Sequence, residues 1–518
     1  MLGNPLLSSI LWTIISQLSH GYSVGPMPIR TLYDAFLPMP EPFEPREVPL
    51  GAFNRVPQAR TEKEFQRRFL EALKQLKVFE DFEIIDCSSL IDKFSGTLIR
   101  PDSAVYPKEK PQIILLRWGK LEIFFEFKRL SSRDPHRSDD IDPESNDMLE
   151  EVDNLDAITI RGQIFSYLGA QLSRQPGRAY TFAVGVYGSH ARQYICDRSG
   201  VIVSVLIPYT KTPQLLLEFF ERYERMSEEQ RGVDVTVSLA SPKERDVFLA
   251  ALNQFKKLER AGKVRSIPSA SPSYHKGHEA YKIPVVDSQS AEIKHFVIIR
   301  SFRERLLPFG PGTQIYIALG VDELDMDKDI DDMKRLPDRL CLLKDIWRVE
   351  TARSETDVYG DLKTLKIAHV APLMLGGDVK TLDGKLQMTP VAKWSKDNSE
   401  DVKAWRLHCL PLDNRVHHRL ILKLAYPLSS ASSAKELVQV IRDALYSLIQ
   451  AHKKGILHRN ISNETIMISG TKYTSGPEKL ARGLLSGWEN SRSTSSVQRS
   501  QLSISVSGSR GSQVPGSI

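Results

Sequence analysis

The stretch that most constrains the fold runs from residue 434 to residue 468. Over 434–454 apolar side chains recur at Leu437, Ile441, Leu445, Leu448 and Ile449, which lie on one side of a helix. Gly455 ends that pattern. The polar loop Ile456-Leu457-His458-Arg459-Asn460-Ile461-Ser462-Asn463-Glu464-Thr465 follows, closed by the apolar run Ile466-Met467-Ile468. An amphipathic helix packed by its five apolar residues, a loop and a short strand are expected in that order.

That segment is a small part of 518 residues, too many for one core, so two or three domains are expected. With 41% hydrophobic and 26% charged residues, the chain reads neither as disordered overall nor as a membrane bundle. The net charge of +6 comes from Lys and Arg scattered among a similar number of acids, so it names no partner. Cys87, Cys196, Cys341 and Cys409 are far apart and form no CxxC pair, which argues against a zinc site or disulfide framework. Reduced thiols point to an intracellular protein of the cytoplasm or nucleus. The apolar run 6–18 is shorter than a membrane-spanning helix, lacks preceding Lys or Arg, and has a poor cleavage site after it. A short helix docking on the body or a frayed terminus is expected there, with a secretory signal core as the lesser reading, and no membrane association.

Prolines crowd 25–58, predicting an extended lead-in over 1–58. Phe65, Phe69, Leu70, Leu73 and Leu76 then open a mixed α/β domain over 59–265 with an amphipathic helix. Runs 111–116 and 121–127 read as a hairpin, and 131–156 as a flexible acidic insertion. A helix from Thr159, strands over 180–187, 193–196 and 201–207, and a helix over 215–223 complete it. Residues 266–297 are a linker by their Ser, Pro, His and Lys content. A second domain spans 298–490, with strands over 314–319, 340–346 and 419–424 and a helix over 354–365. Residues 491–518 form a Ser-rich tail expected to be disordered.

The 455–468 loop is similar to the catalytic loop of protein kinases. There an Asp after His-Arg accepts the proton of the substrate hydroxyl, and an Asn five residues later holds magnesium. Here those positions are Asn460 and Thr465. An amide carries no charge and no useful basicity, so Asn460 cannot act as that base. Lys344, in Lys344-Asp345-Ile346-Trp347-Arg348, looks like the lysine that contacts the ATP phosphates, with Glu355 as its ion-pair partner. Gly310 and Gly312 resemble a phosphate-covering loop, although Pro311 removes a backbone donor. Residues 231–241 (RGVDVTVSLAS), 161–172 (RGQIFSYLGAQL), 188–204 (GSHARQYICDRSGVIVS), 344–348 (KDIWR) and 455–462 (GILHRNIS) together resemble the fungal-type protein kinase family over roughly residues 60–490. The resemblance implies ATP-dependent Ser/Thr phosphotransfer with ATP and Mg as cofactors. It also places a metal-binding Asp where Gly487 stands, and a C-lobe longer than this chain supplies. With base, Asn ligand and metal-holding Asp replaced while Lys344 and Glu355 remain, the expectation is a pseudokinase, a binding or regulatory module for a protein partner that retains a nucleotide site.

A second constellation lies in the first domain. Asp102 after Pro101, Glu126 and Lys128 two apart on a strand, and Gln163 on a helix read like the PD-(D/E)xK nuclease core. Two carboxylates there bind a divalent metal and the lysine positions the attacking water. Alternation puts Glu126 and Lys128 on one strand face. The fold class expected is therefore α+β: an N-terminal mixed α/β domain, nuclease-like in this reading, followed by a protein-kinase-like domain with a truncated C-lobe. Nucleic acid is a partner only under the nuclease alternative.

Overall fold

A computed structural model describes residues 5–40, 43–49, 51–90, 99–108, 116–137, 150–267, 271–302, 305–325, 336–405, 411–469 and 482–493. Apolar runs flanked by helical periodicity build the first half. In chain order it comprises α1 (Pro5–Leu18), β1 (Ser23–Met27), α2 (Ile29–Phe36), α3 (Glu62–Gln75), β2 (Phe82–Asp86), β3 (Ser103–Pro107), β4 (Ile123–Lys128), α4 (Leu155–Arg174), β5 (Tyr180–Tyr187), β6 (His190–Asp197), β7 (Val201–Ser204) and α5 (Pro213–Arg225). The strands form one sheet ordered β1-β7-β6-β5-β4-β3-β2. Strand β4 is buried at every position because both its faces are covered. It runs antiparallel to β3 and parallel to β5, a crossover that α4 makes. On one face Phe65 and Phe69 of α3 meet Phe125 and Phe127; on the other Ile164 and Leu168 of α4 meet Phe124.

Two expectations for this half change. Residues 1–58 are not only an extended lead-in: α1 lies on α4, with Arg161 Nε donating to Ser16 Oγ at 3.1 Å, and β1 adds an edge strand parallel to β7. Gly162 makes the helix contact close, since a Cβ there would stand 1.8 Å from Trp12 O. The hairpin expected from 111–116 and 121–127 falls partly outside the described residues, and β4 takes β3 and β5 as its neighbours instead. Much of the acidic insertion also lies outside the described residues.

The second half adds β8 (Ser238–Leu239), α6 (Pro242–Arg260), β9 (Tyr281–Val286), β10 (Ile293–Ile298), β11 (Gln314–Gly320), β12 (Leu340–Val349), α7 (Glu355–Thr364), β13 (Leu373–Asp378), α8 (Pro390–Asp397) and β14 (Arg415–Lys423). Its sheet is ordered β8-β9-β10-β11-β12-β14-β13. A smaller sheet follows from β15 (Tyr426–Pro427), α9 (Ala434–Lys453), β16 (Ile466–Ile468) and β17 (Gly483–Leu485), ordered β15-β16-β17. The expected linker over 266–297 therefore holds β9 and most of β10. Its polar composition reflects β9 alternating between buried Ile283 and Val285 and half-exposed neighbours. Helix α6 belongs here too: Phe248, Leu252 and Phe255 share a core with Ile317, Leu340 and Trp488. Strand β8 at 238–239 and helix α6 thus already belong to the second sheet and its core. The tail beyond 493 lies outside the described residues.

Helix α9 forms as its spacing predicts, with Ser433 accepting from Glu436 N as N-cap, and Leu448 packs on the core, but small side chains fill most of the buried face. Val440, Asp443, Ala444, Ser447 and Ala451 are buried, while Leu445 is 46% and Ile449 51% exposed. Small side chains let β17 approach the helix backbone: a Cβ on Gly483 would stand 2.0 Å from Val440 O, and Gly483 N donates to Asp443 Oδ2 at 3.1 Å. The halves meet through the β6–β7 turn. Val391 N of α8 donates to Asp197 Oδ2 at 2.7 Å, and buried Arg198 donates to Pro308 O at 3.1 Å.

Candidate functional site

Lys344 sits on β12 between Ile315 of β11 and Leu420 of β14, so both flanking strands fix its height in the sheet. Ser354 caps α7 and starts it at Glu355, which aims that carboxylate at β12. Lys344 Nζ donates to Glu355 Oε2 at 2.6 Å and to Glu489 Oε2 at 2.8 Å. Glu355 Oε1 accepts from Trp488 N at 3.0 Å. All three charged groups are largely removed from water. Burial pulls the ammonium pKa down, but the two carboxylates outweigh it and hold the lysine charged. Burial raises Glu355; for Glu489 the lysine outweighs burial and keeps it ionised. Two carboxylates share the single ammonium at the centre of the site.

The loop beneath contains no carboxylate at the sequence-flagged positions. His458 Nε2 bonds Ser486 O at 2.9 Å and its Nδ1 accepts from Asn460 N at 3.2 Å, so the ring is a neutral brace, its pKa lowered by burial. Asn460 follows Arg459, which takes φ 68. The Thr465 hydroxyl is used within the loop, accepting from Ser462 N at 2.9 Å and lying 3.1 Å from both Asn460 O and Ser462 O. Gly487 adopts φ +80, and a Cβ built on it would meet Thr465 Cγ2 at 2.7 Å and Glu489 Oε2 at 3.5 Å. Thr465 and Gly487 are therefore packed against each other. Gly310 and Gly312 have a junction role: Gly310 N donates to Arg198 O at 2.9 Å, and a Cβ on Gly312 would strike Arg198 Nε at 2.4 Å. A cavity of about 590 Å³ opens away from Lys344, between the halves, walled by Trp118, Arg174, Arg245, Tyr281 and Arg300.

In the first domain the flagged residues come together on β4 and its neighbours. Asp102, just ahead of β3, accepts from Phe127 N at 2.8 Å through Oδ2. Glu126 is 1% exposed and accepts a short hydrogen bond from Lys128 Nζ at Oε1, while its Oε2 is buried without a hydrogen-bond partner among the described residues. Burial first, and then the Asp102 charge, push Glu126 up to about 8. Burial alone would lower Lys128, but Glu126 and Asp102 outweigh it. Gln163 touches the group through Tyr167, donating to its hydroxyl at 2.9 Å. No group of three or more His, Cys, Asp or Glu side chains among the described residues is arranged to hold a metal. Asp102 and Glu126 are two carboxylates with a lysine between their charges, an arrangement that a divalent cation or a bound proton would relieve.

Sequence reading missed Glu489, Glu62 and Tyr167. Glu489 had a visible sign, an acid two residues after Gly487. Glu62 opens α3 and puts Oε1 3.9 Å from Lys128 Nζ, which only the packing of α3 over β4 reveals. Three of the cysteines, Cys87, Cys196 and Cys341, are buried and unpaired, and Cys409 lies outside the described residues. No described helix is long and apolar enough to cross a membrane.

No curated protein matches the chain. The family described as "Fungal protein kinase" matches residues 146–501, well over half of the chain, spanning Lys344, Glu355 and the whole 455–468 loop. The chain belongs to the fungal protein kinase family.

Proposed function

We propose that the second domain is a kinase-derived, nucleotide-binding module that does not transfer phosphoryl groups. The observation that carries this reading is the loop chemistry. Asn460 offers an amide where the resemblance requires a base, and the Thr465 hydroxyl is committed to bonds within its own loop. Phosphoryl transfer depends on positioned charge and metal, and neither position supplies a carboxylate. The buried Lys344–Glu355 pair supports retained binding of ATP, whose phosphates the lysine would meet and whose charge magnesium would screen. Three buried, unpaired cysteines fit a reducing compartment, cytoplasm or nucleus. The test is a thermal-shift titration with ATP, with and without Mg, beside a labelled-phosphate transfer assay on protein substrates. Stabilisation by ATP without transfer is expected. Transfer that is lost in Lys344→Met would overturn the non-catalytic part, and the absence of any shift would overturn nucleotide binding.

A second reading is favoured by the unpartnered Glu126 Oε2 beside Asp102. In it the first domain binds a divalent cation and hydrolyses nucleic acid, with Lys128 orienting the water. Degradation of DNA that needs Mg or Mn and disappears in Glu126→Gln would support it. Degradation indifferent to that substitution would be a contaminant.

A further inference from the structure

The charge expected at position 487 has not vanished from the site. A Cβ on Gly487 would lie 3.5 Å from Glu489 Oε2, so a carboxylate grown from 487 would reach the space that the Glu489 carboxylate occupies. The longer side chain folds back across two residues, and the turn at Trp488-Glu489-Asn490 holds it there. Its contact at 2.8 Å to Lys344 adds a second acid to a lysine already paired with Glu355. Two carboxylates sharing one ammonium leave acceptor oxygens at the site that a cation can use. Magnesium is commonly held by one or two protein carboxylates together with substrate phosphates, which a single displaced glutamate satisfies.

We infer that Glu489 is a surrogate for the acid missing at position 487, the carboxylate that faces the divalent cation of a nucleotide–metal complex bound at Lys344. The inference rests on the nucleotide-binding reading above and names the group that makes binding metal-dependent. No phosphoryl transfer is implied, because Asn460 still lacks a base's chemistry. The placement of Glu489 also keeps a carboxylate in the site although Thr465 stands where the resemblance puts an amide and Gly487 where it puts an acid.

The test uses the full chain, ADP and Mn, with calorimetric titration for nucleotide affinity and the electron paramagnetic resonance of Mn for bound ion. The wild type is expected to bind ADP more tightly with Mn than without, and to immobilise Mn when ADP is present. In Glu489→Gln the gain that Mn confers should fall by roughly tenfold or more, with metal-free ADP binding equal or tighter. Equal metal dependence in both proteins would overturn the inference. So would a uniform tightening with and without Mn, which would make Glu489 a plug in the pocket. If the wild type binds no ADP under any condition, the nucleotide reading fails and the inference falls with it, a result distinct from the other two. Should Glu489→Gln fail to fold, the variant Thr465→Ser/Gly487→Asp/Glu489→Gln returns the acid to 487 with the clashing methyl removed. Restored Mn dependence would support the inference, and its absence in that folded variant would refute it.

Discussion

The carboxylate pair of the first domain and the lysine pocket of the second are equally buried, yet they differ in how their charges are settled. At β4, Glu126 keeps one oxygen without a partner, and Asp102 adds a like charge nearby. At β12, both oxygens of Glu355 are bonded, Lys344 has two acceptors, and the Thr465 hydroxyl is bonded within its own loop. Burying a carboxylate oxygen without a partner is costly, and a fold that needed the Glu126–Lys128 pair only for stability could gain by apolar residues there. The pocket around Lys344 has relaxed toward internal satisfaction, whereas the pair at β4 retains an electrostatic demand that something else must meet.

The largest effect expected on this contrast comes from Lys344→Met. It leaves Glu355 and Glu489 facing each other without a cation, and breaking a buried ion pair costs about 3–5 kcal/mol. Scanning calorimetry should show the second-domain transition lowered, with Lys344→Met/Glu355→Gln recovering part of the loss. A negligible shift would mean that the pocket is wetter than its geometry indicates.

Next in size is Glu126→Gln. Because the folded-state pKa is raised to about 8 from 4.5, the folded protein holds a proton that the unfolded chain releases between those values. Stability from this group is full below pH 4.5 and is lost as pH rises through 8. Glu126→Gln should therefore stabilise the first domain at pH 8, by on the order of 4 kcal/mol, and leave it little changed at pH 4.5. Melting curves across that range check it, and added Mn should raise the wild-type midpoint at pH 8 but not that of the variant.

A smaller effect, about 1–2 kcal/mol, is expected of Gly487→Asp, whose Cβ would crowd Thr465 Cγ2 at 2.7 Å. Thr465→Ser in the same chain should recover most of it, and a double-mutant cycle by urea unfolding measures the coupling. The smallest is Leu445→Gln on the outer face of α9, which should change stability by less than about 0.5 kcal/mol. Ala444→Leu, on the inner face, should cost about 1–3 kcal/mol.

That last pair marks where sequence reading stops. The helix itself was legible from its period, but its packed face was not, because burial of Ala444, Ser447 and Ala451 follows from the close approach of Gly483, a contact between distant segments. Strands β5, β6, β11 and β12 were legible because their runs are apolar or alternate and end at turns. Strands β9 and β10 were hidden because several of their positions stay half-exposed or exposed, so that polar residues interrupt the apolar pattern. Lys344 and Glu355 could be paired in advance, since they lie on consecutive elements. Glu489 reaches the same lysine from 145 positions away, and no local pattern signals that. Asp102, Glu126 and Lys128 were legible as a spacing, but the missing partner of Glu126 Oε2 is a property of packing alone.

The close fit of the Thr465 methyl against Gly487 makes the two positions depend on each other. While that methyl fills the space beside glycine, any side chain introduced at 487 costs stability that a smaller residue at 465 would spare. The order of changes then matters: altering 465 before 487 avoids the crowded intermediate, and altering 487 first passes through it.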